Sequence, residues 1–501
     1  MTPLSRRRSS GVVEPAYLSR SRSSGVVEPA LFLRRSIGSF EVPNYRRWFT
    51  GQLVSVSGNW MQIVAEMWLV LTLTGSALAV GVTSALQFLP MLLIGAWGGL
   101  IADRVSKRRL LFLTQSLMAL PALALFALTA TGAVQAWMVF AVVLARGVVL
   151  AVDMPTRQSF VIEIVGPDRV VNAVGLQSVL IHSSRIAGPA IAGTLIAIGG
   201  LELCFLLNAA SFGAMIVALR SLDVTRLRPS KPAPREPGAV RLGLRYVLRT
   251  PELAIPLGMM ALVGTLGFNF QVLLPLLAQQ TFDGGAVAYS VLAVAMGAGA
   301  VAGALATGAR GRIGTRLLVG SAVAFGLFAL LAAAAPSLPL LALALVPLGA
   351  ASVTFAAGIN STLQLAADPQ MRGRVMALYS IVFLGSTPVG GPIAGLLSGA
   401  LGARAGLVMA GVAALVAAGG ANYAFARDAR RASARRVESD PISPPEAAEA
   451  ASAPGAGRGR DQACGPGEPA PPPRTARHRS ERRRDPRSPA QRPRGDARSA
   501  R

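Results

Sequence analysis

"GGLIADRVSKRRL", residues 98–110, places one acid, Asp103, ahead of four bases, Arg104, Lys107, Arg108 and Arg109. The apolar run before it, residues 77–100, is long enough to cross a bilayer, which takes about 20 residues as a helix. Charge behind such a run has two readings. It stops the chain from sliding further into the membrane, or it is a helix end built to meet another helix. Gly99 and Asp103 point to the second. Glycine permits close helix contact, and a carboxylate at a helix end can meet the positive N-terminus of a neighbour.

The rest of the chain decides what kind of protein holds this stretch. Of its 501 residues, 52% are hydrophobic and 15% charged, with a mean hydropathy of +0.50; an average soluble domain is about a quarter charged. Apolar residues fall in twelve blocks, at 49–74, 77–101, 110–131, 134–152, 171–198, 202–219, 253–277, 287–308, 317–335, 338–364, 375–401 and 405–425. Hydrocarbon admits only helices and closed barrels, and a barrel strand alternates in polarity. The expected fold is therefore an all-α membrane protein with twelve transmembrane helices in two six-helix halves, residues 40–220 and 253–425. Between them, 221–252 reads as a linker. Its rear sets Leu242, Leu244 and Leu248 among Arg241, Arg245 and Arg249, a basic amphipathic helix for the membrane surface. The tails, 1–39 and the Arg/Pro-rich 426–501, read as disordered. The first tail carries "RSSGVVEPA" at 8–16 and again at 22–30, too few copies for a solenoid, and lacks the apolar core of a signal peptide.

The net charge of +25 acts as a topology signal. With both termini in the cytoplasm, all but three of the 49 basic residues fall in cytoplasmic tails and loops, the exceptions being Arg146, Arg185 and Arg404. That satisfies the positive-inside rule, so the charge orients the chain and no nucleic-acid partner is expected. Cys204 and Cys464 lie in a span and a tail and imply no disulfide framework. Two histidines without ligand spacing give no metal site. No phosphate-binding Gly-rich loop and no nucleophile constellation is visible, so neither a catalytic residue nor a cofactor is expected.

Glycine, three residues, Asp-Arg and a basic cluster together resemble the signature loop of the major facilitator superfamily. The match runs through Gly99, Asp103, Arg104, Lys107 and Arg108 and departs at Ser106, where the family usually has glycine. The resemblance implies that Asp103 meets the eleventh helix near Val375 and acts in a conformational switch; a plain stop-transfer cluster is the alternative. "SRIAGPAIAG", residues 184–193, is echoed by "TPVGGPIAG", 387–395, each after an inner loop with Pro and Arg, "GPDR" and "DPQMRGR". Such internal symmetry is usual in transporters. Gly188, Pro189 and Gly193 resemble the superfamily's antiporter motif with spacing altered by one residue, and ordinary glycine packing with a kink explains them equally well. "NYRRWF", "PTRQSFVIEIV", "RIAGPAIAG" and "RGRVMALYS" resemble the exporter branch that includes enterobactin and macrolide efflux proteins. This likeness covers residues 40–425 and neither tail.

Ionisable groups within spans are expensive and usually face a wet cavity. Here they are Glu66, Arg146, His182 and Arg185. Arg146, in "LARGVV", matches an arginine that related antiporters associate with proton transfer, and Glu66 is the acid deep in a span, so this pair is the expected proton-coupling site. A fixed ion pair is the alternative, and His182 reads more readily as a helix contact than as a relay. Gln62, His182 and Arg185, with Asn269, Gln271, Asn360 and Gln364 from the second half, are the expected lining of a substrate cavity. The sequence thus implies proton-driven export of an amphipathic small molecule, siderophore-like or drug, by a monomer in the bacterial cytoplasmic membrane. An importer on the same fold and a non-transporting sensor or scaffold are the rivals. If Asp103 belongs to a switch, Asp103→Asn will insert normally but transport poorly. Wild-type transport by that variant would return the cluster to a stop-transfer role.

Overall fold

Alanine, leucine, valine and glycine in runs this long leave the backbone no partners but its own, and the chain answers with helices throughout. A computed structural model describes residues 38–228, 239–310 and 314–439, and no strand occurs among them. The two tails outside these limits, including the duplicated segment, and linker residues 229–238 lie outside the described residues. The long helices are α1 (Pro43–Thr74), α2 (Ala77–Arg104), α3 (Lys107–Ala130), α4 (Ala136–Val165), α5 (Val170–Gly199) and α6 (Leu201–Arg220). After the linker come α7 (Ala239–Arg249), α8 (Pro251–Gly267), α9 (Phe270–Leu276), α10 (Gly285–Arg310), α11 (Thr315–Ala334), α12 (Leu338–Ala366), α13 (Arg372–Leu401) and α14 (Ala403–Ser439).

Eleven candidate spans among the described residues have the length and apolarity to cross a membrane, α8 and α9 counting together. α1 is not one of them, although it has 32 residues and packs against α5 and α6. The cause is its buried polar face, which carries Gln52, Ser55, Gln62 and Glu66. Bases gather at one end of the bundle, where the α2–α3 turn, the end of α4 and the start of α13 meet solvent; this is called the basic end below, opposite the far end.

Four boundaries differ from the sequence reading. α4 runs through Pro155 to Val165, well past residue 152. Thr156 and Ser159 make this possible: their hydroxyls donate to the carbonyls of Val152, at 2.6 Å, and Pro155, at 2.9 Å, the support that lets proline sit inside membrane helices. Arg157 is therefore a helix residue rather than a loop residue. The seventh block is broken at Phe268 and Asn269 and ends in a π-helical turn, Leu277–Thr281. α14 continues past residue 425 to Ser439, because alanine and arginine are strong helix formers. At the other end, Ser39 is buried and its backbone N–H donates to Asn172 Oδ1 at 2.8 Å. The ordered chain thus begins before residue 40.

Two seams join the halves: α2 lies along α13, and α5 along α10. Both are made by glycine. A Cβ on Gly81 would strike the Gly391 carbonyl, and one on Gly395 the Ala77 carbonyl. A Cβ on Gly193 would strike Ser290, and one on Gly297 would crowd Ile186 and the Arg185 carbonyl. The two echoed segments therefore hold corresponding places, one in each seam, with Gly193 and Gly391–Gly395 at the crossings. These approaches lie toward the far end. There the Trp68 and Tyr289 rings also stack across the halves, 6.4 Å between centroids.

Candidate functional site

The sealed far end and the polar face of α1 leave a cavity of ≈490 Å³ in the first half. Its lining comes from the basic-end portions of α1, α4 and α5 and from the middle of α2. Polar groups on the wall are Gln52, Ser55, Asn59, Gln87, Asp153, Arg157, Gln158, Gln177 and Ser178, set among Trp60, Ile63, Phe88, Met118, Leu150, Met154, Ile181 and Phe212. A smaller pocket of ≈70 Å³ lies between the halves, where Arg185 and Pro189 of α5 face Gln271 of α9, Tyr289 of α10 and Ser352 of α12. Trp60, Ile63 and Gln271 border both spaces.

Glu66 and Arg146, the two residues expected to couple protons or to form a fixed ion pair, are joined in the structure. Arg146 Nη2 donates to Glu66 Oε2 at 2.7 Å, and both side chains are buried. Gln62 Nε2 donates to Glu66 Oε1 at 2.7 Å, Asn208 Nδ2 donates to Gln62 Oε1, and Ser211 Oγ donates to Asn208 Oδ1 at 2.9 Å. Arg146 Nη1 reaches Asn59 Oδ1 at 3.3 Å. Glu66 therefore sits inside the wall, linked through Arg146 to Asn59, which borders the cavity. Gln62, expected as cavity lining, is bonded into the same wall.

The remaining expected cavity residues divide. Arg185 and Gln271 border the interface pocket, and Pro189 does so with them. The Arg185 guanidinium lies 5.0 Å from the Trp60 ring centroid, a cation–π contact, and no carboxylate pairs with it among the described residues. His182, one turn away on α5, borders neither space. Asn269 stands at the break between α8 and α9 and donates to the Thr265 carbonyl at 2.7 Å. Asn360 and Gln364 bond to each other along α12, and neither borders the two spaces. Phe270 borders the pocket, whereas Phe268 is a core residue with Phe325, Phe355 and Phe383 around it.

The signature loop is a two-residue turn. Ser106 has φ −54 and ψ 114, a conformation open to any residue, so the glycine usual at this place is not needed. Gly98 makes the close approach, against the Ala151 carbonyl of α4, with half-buried Gly99 beside it. Lys107 Nζ pairs with Glu163 Oε1 at 2.7 Å. Arg108 Nε donates to the Leu219 carbonyl at the end of α6, at 3.0 Å, and its guanidinium covers Phe112. Arg104 is exposed, and the side chain of Asp103 lies outside the described residues. Lys107 and Arg108 thus tie α3 to the ends of α4 and α6, which is more than halting insertion.

A second polar cluster was missed by sequence reasoning. Asp153 accepts from Thr114 Oγ1 at 2.6 Å, from Gln115 Nε2 at 2.8 Å and from Arg157 Nε. Arg157 Nη1 donates in turn to Gln52 Oε1 at 2.6 Å. The signal was the spacing: Asp153 follows Arg146 by two helical turns and Arg157 follows one turn later, so all three share a face of α4. Reading Pro155 as a helix end hid it.

Known proteins fit this architecture. A family profile described as a transmembrane secretion effector matches residues 36–455. The staphyloferrin A transporter of Staphylococcus aureus is 27% identical over 52% of this chain, which spans 64% of that relative's length. Macrolide efflux protein A of Streptococcus pyogenes is 24% identical over 73% of this chain and 92% of its own, and the multidrug efflux pump Tap of Mycolicibacterium fortuitum 26% over 70% and 88%. Among solved structures, an inward-facing, unoccupied bacterial homologue of the human lysosomal transporter Spinster superposes with a TM-score of 0.62 at 14% identity, covering 77% of this chain and 98% of that one. The nucleoside transporter NupG gives 0.60 at 16%, over 76% and 99%.

The buried pair yields a direct test. Arg146→Ala leaves Glu66 without its countercharge and should cost about 3–5 kcal/mol of stability, while adding Glu66→Gln should restore most of the loss. Thermal unfolding of the three purified variants in detergent measures both steps, and an Arg146→Ala protein as stable as wild type would contradict the pairing. The chain belongs to the transmembrane secretion effector family of the major facilitator superfamily.

Proposed function

We propose that the chain is a secondary transporter that exports an acidic, amphipathic small molecule from the cytoplasm by alternating access and proton antiport. The observation that carries this reading is the ≈490 Å³ cavity, its apolar wall set with amides and with Asp153 and Arg157, beside seams closed at the far end. With the basic end in the cytoplasm, this arrangement is inward-facing, ready to load cargo from within a bacterial cytoplasmic membrane.

Arg146 and Arg185 have different roles in this reading. Arg146 is committed to Glu66, and the pair couples cargo movement to protons: a neutral Glu66 releases Arg146, and an ionised one recaptures it. Arg185 holds only the Trp60 face and lines the smaller pocket, while Trp60 itself borders both spaces. It supplies the cation for a carboxylate or phenolate, while Trp60, Phe270 and Tyr289 cover an apolar body. The names of the relatives, a siderophore transporter and two efflux proteins, agree with a cargo of this size and character.

Uptake of a catecholate siderophore, a macrolide and a cationic dye into inverted vesicles, with and without a proton gradient, tests the reading. Gradient-driven uptake of the siderophore is expected, lost in Arg185→Ala. In Glu66→Gln, cargo binding should persist while accumulation disappears. Dye uptake that exceeds siderophore uptake and is indifferent to Arg185→Ala would overturn the acidic-cargo assignment.

A further inference from the structure

The wall of the larger cavity holds a carboxylate that this reading leaves without a task. Asp153 is buried, yet it borders the cavity together with Arg157 and Gln52. On α4, Arg146 and Asp153 are seven residues apart, about 10 Å of helix rise. On α1, Gln52, Asn59 and Glu66 repeat at the same interval and so share a face. The contacts between the two helices show that they run in opposite directions, Glu66 meeting Arg146 while Gln52 meets Arg157. The result is a polar ladder with two rungs, each an acid and an arginine bound to amides.

Access separates the rungs. Glu66 and Arg146 are sealed in the wall, whereas Asp153, Arg157 and Gln52 border the cavity, with Asn59 facing it between the rungs and touching Arg146. A sealed acid can exchange its proton only through groups that the cavity reaches. We propose that Asp153 is the cavity-side proton acceptor of the transporter, through which protons pass between the cavity and the Glu66–Arg146 pair. The inference rests on the proton-antiport reading. In the step itself, the Asp153 carboxylate takes a proton from the cavity and becomes neutral, which dissolves its ion pair with Arg157. Arg157 keeps its bond to Gln52, so α1 and α4 stay joined while Asp153 is neutral. Transfer along the cavity past Asn59 returns Asp153 to the carboxylate and neutralises Glu66.

Four helices contribute to the surroundings of Asp153. From α3 it faces Thr114 and Gln115, and from α4 Arg157. Ser55 of α1 and Gln87 of α2 border the same cavity, and the Lys107–Glu163 pair lies further toward the basic end. Arg157 is the charge in contact with Asp153 among the described residues, so neutralising the acid disturbs one ion pair together with the hydrogen bonds from Thr114 and Gln115.

Infrared difference spectra of the full-length protein in liposomes, taken on acidification, read protonated carboxyls directly. Wild type should gain a carboxylic-acid band that Asp153→Asn lacks, that Asp153→Glu restores and that remains in Glu66→Gln. Should Asp153→Asn fail to fold, Thr114→Val and Gln115→Leu keep the carboxyl but remove its donors, and the band should then appear about one pH unit higher. Identical spectra in wild type and Asp153→Asn, or an unmoved band in the donor variants, would overturn the proposal. Transport separates it from the antiport reading. With the siderophore as probe, Asp153→Asn should keep gradient-independent exchange and lose uphill accumulation. Proton-driven accumulation undiminished in Asp153→Asn defeats the inference and leaves antiport standing. An Asp153 band in a wild type whose accumulation ignores the gradient keeps the proton site and defeats antiport.

Discussion

A proline inside a membrane helix leaves the carbonyl four residues earlier without its donor, and in this protein a glycine on a facing helix repeatedly comes to rest beside that carbonyl. Pro155 frees Ala151, and Gly98 of α2 lies on it; Pro90 frees Leu86, and Gly147 of α4 lies beside it. Those two contacts are reciprocal and fix α2 to α4. Pro189 frees Arg185, which Gly297 of α10 approaches across the boundary between the halves. Hydrocarbon offers such a carbonyl nothing else, and Cα–H contacts to carbonyls recur at helix interfaces. Any side chain at these glycines would hold the helices apart. The cavity, the seams and the placement of Arg185 all follow from how closely these backbones approach.

Charge is distributed by the same geometry. Once α1 and α4 are held side by side, Glu66 faces Arg146 and Gln52 faces Arg157, and Glu66 and Asp153 each have an arginine and amides within reach. Removing one partner from such a buried set strands the other, which is the costly event in a membrane interior. Arg185 is the exception. Its partner is the aromatic face of Trp60 rather than an acid, and it lines the pocket between the halves.

Much of this was legible in the residues. Block lengths marked out nearly every helix, and Glu66, Arg146, Arg185 and Gln271 were visible as ionisable or amide groups inside apolar runs. The glycine-proline segments announced the seams, although which helices they join depends on tertiary packing that spacing alone does not encode. Asp153 and Arg157 stayed hidden because Pro155 resembles a helix end when hydroxyl support from Thr156 and Ser159 is left out. An amide in an apolar run shows only that it needs a partner: Asn360 and Gln364 bond to each other, and Asn360 also meets Tyr379. Gly98 and Gly99 are indistinguishable in sequence, and it takes the position of α4 to show that the first lies on the Ala151 carbonyl.

The central claim is that the halves pivot on these seams, so that the far end must part for cargo to leave. A Cβ at Gly399 lies 3.6 Å from that of Ala77, within the range a disulfide spans. An Ala77→Cys/Gly399→Cys protein, with Cys204 and Cys464 replaced, places the crosslink across the α2–α13 seam at its far end. Oxidation should join the two helices, abolish vesicle uptake of the siderophore and leave it recoverable by reduction. Uptake that continues at the reduced protein's rate while the crosslink is complete would contradict the account.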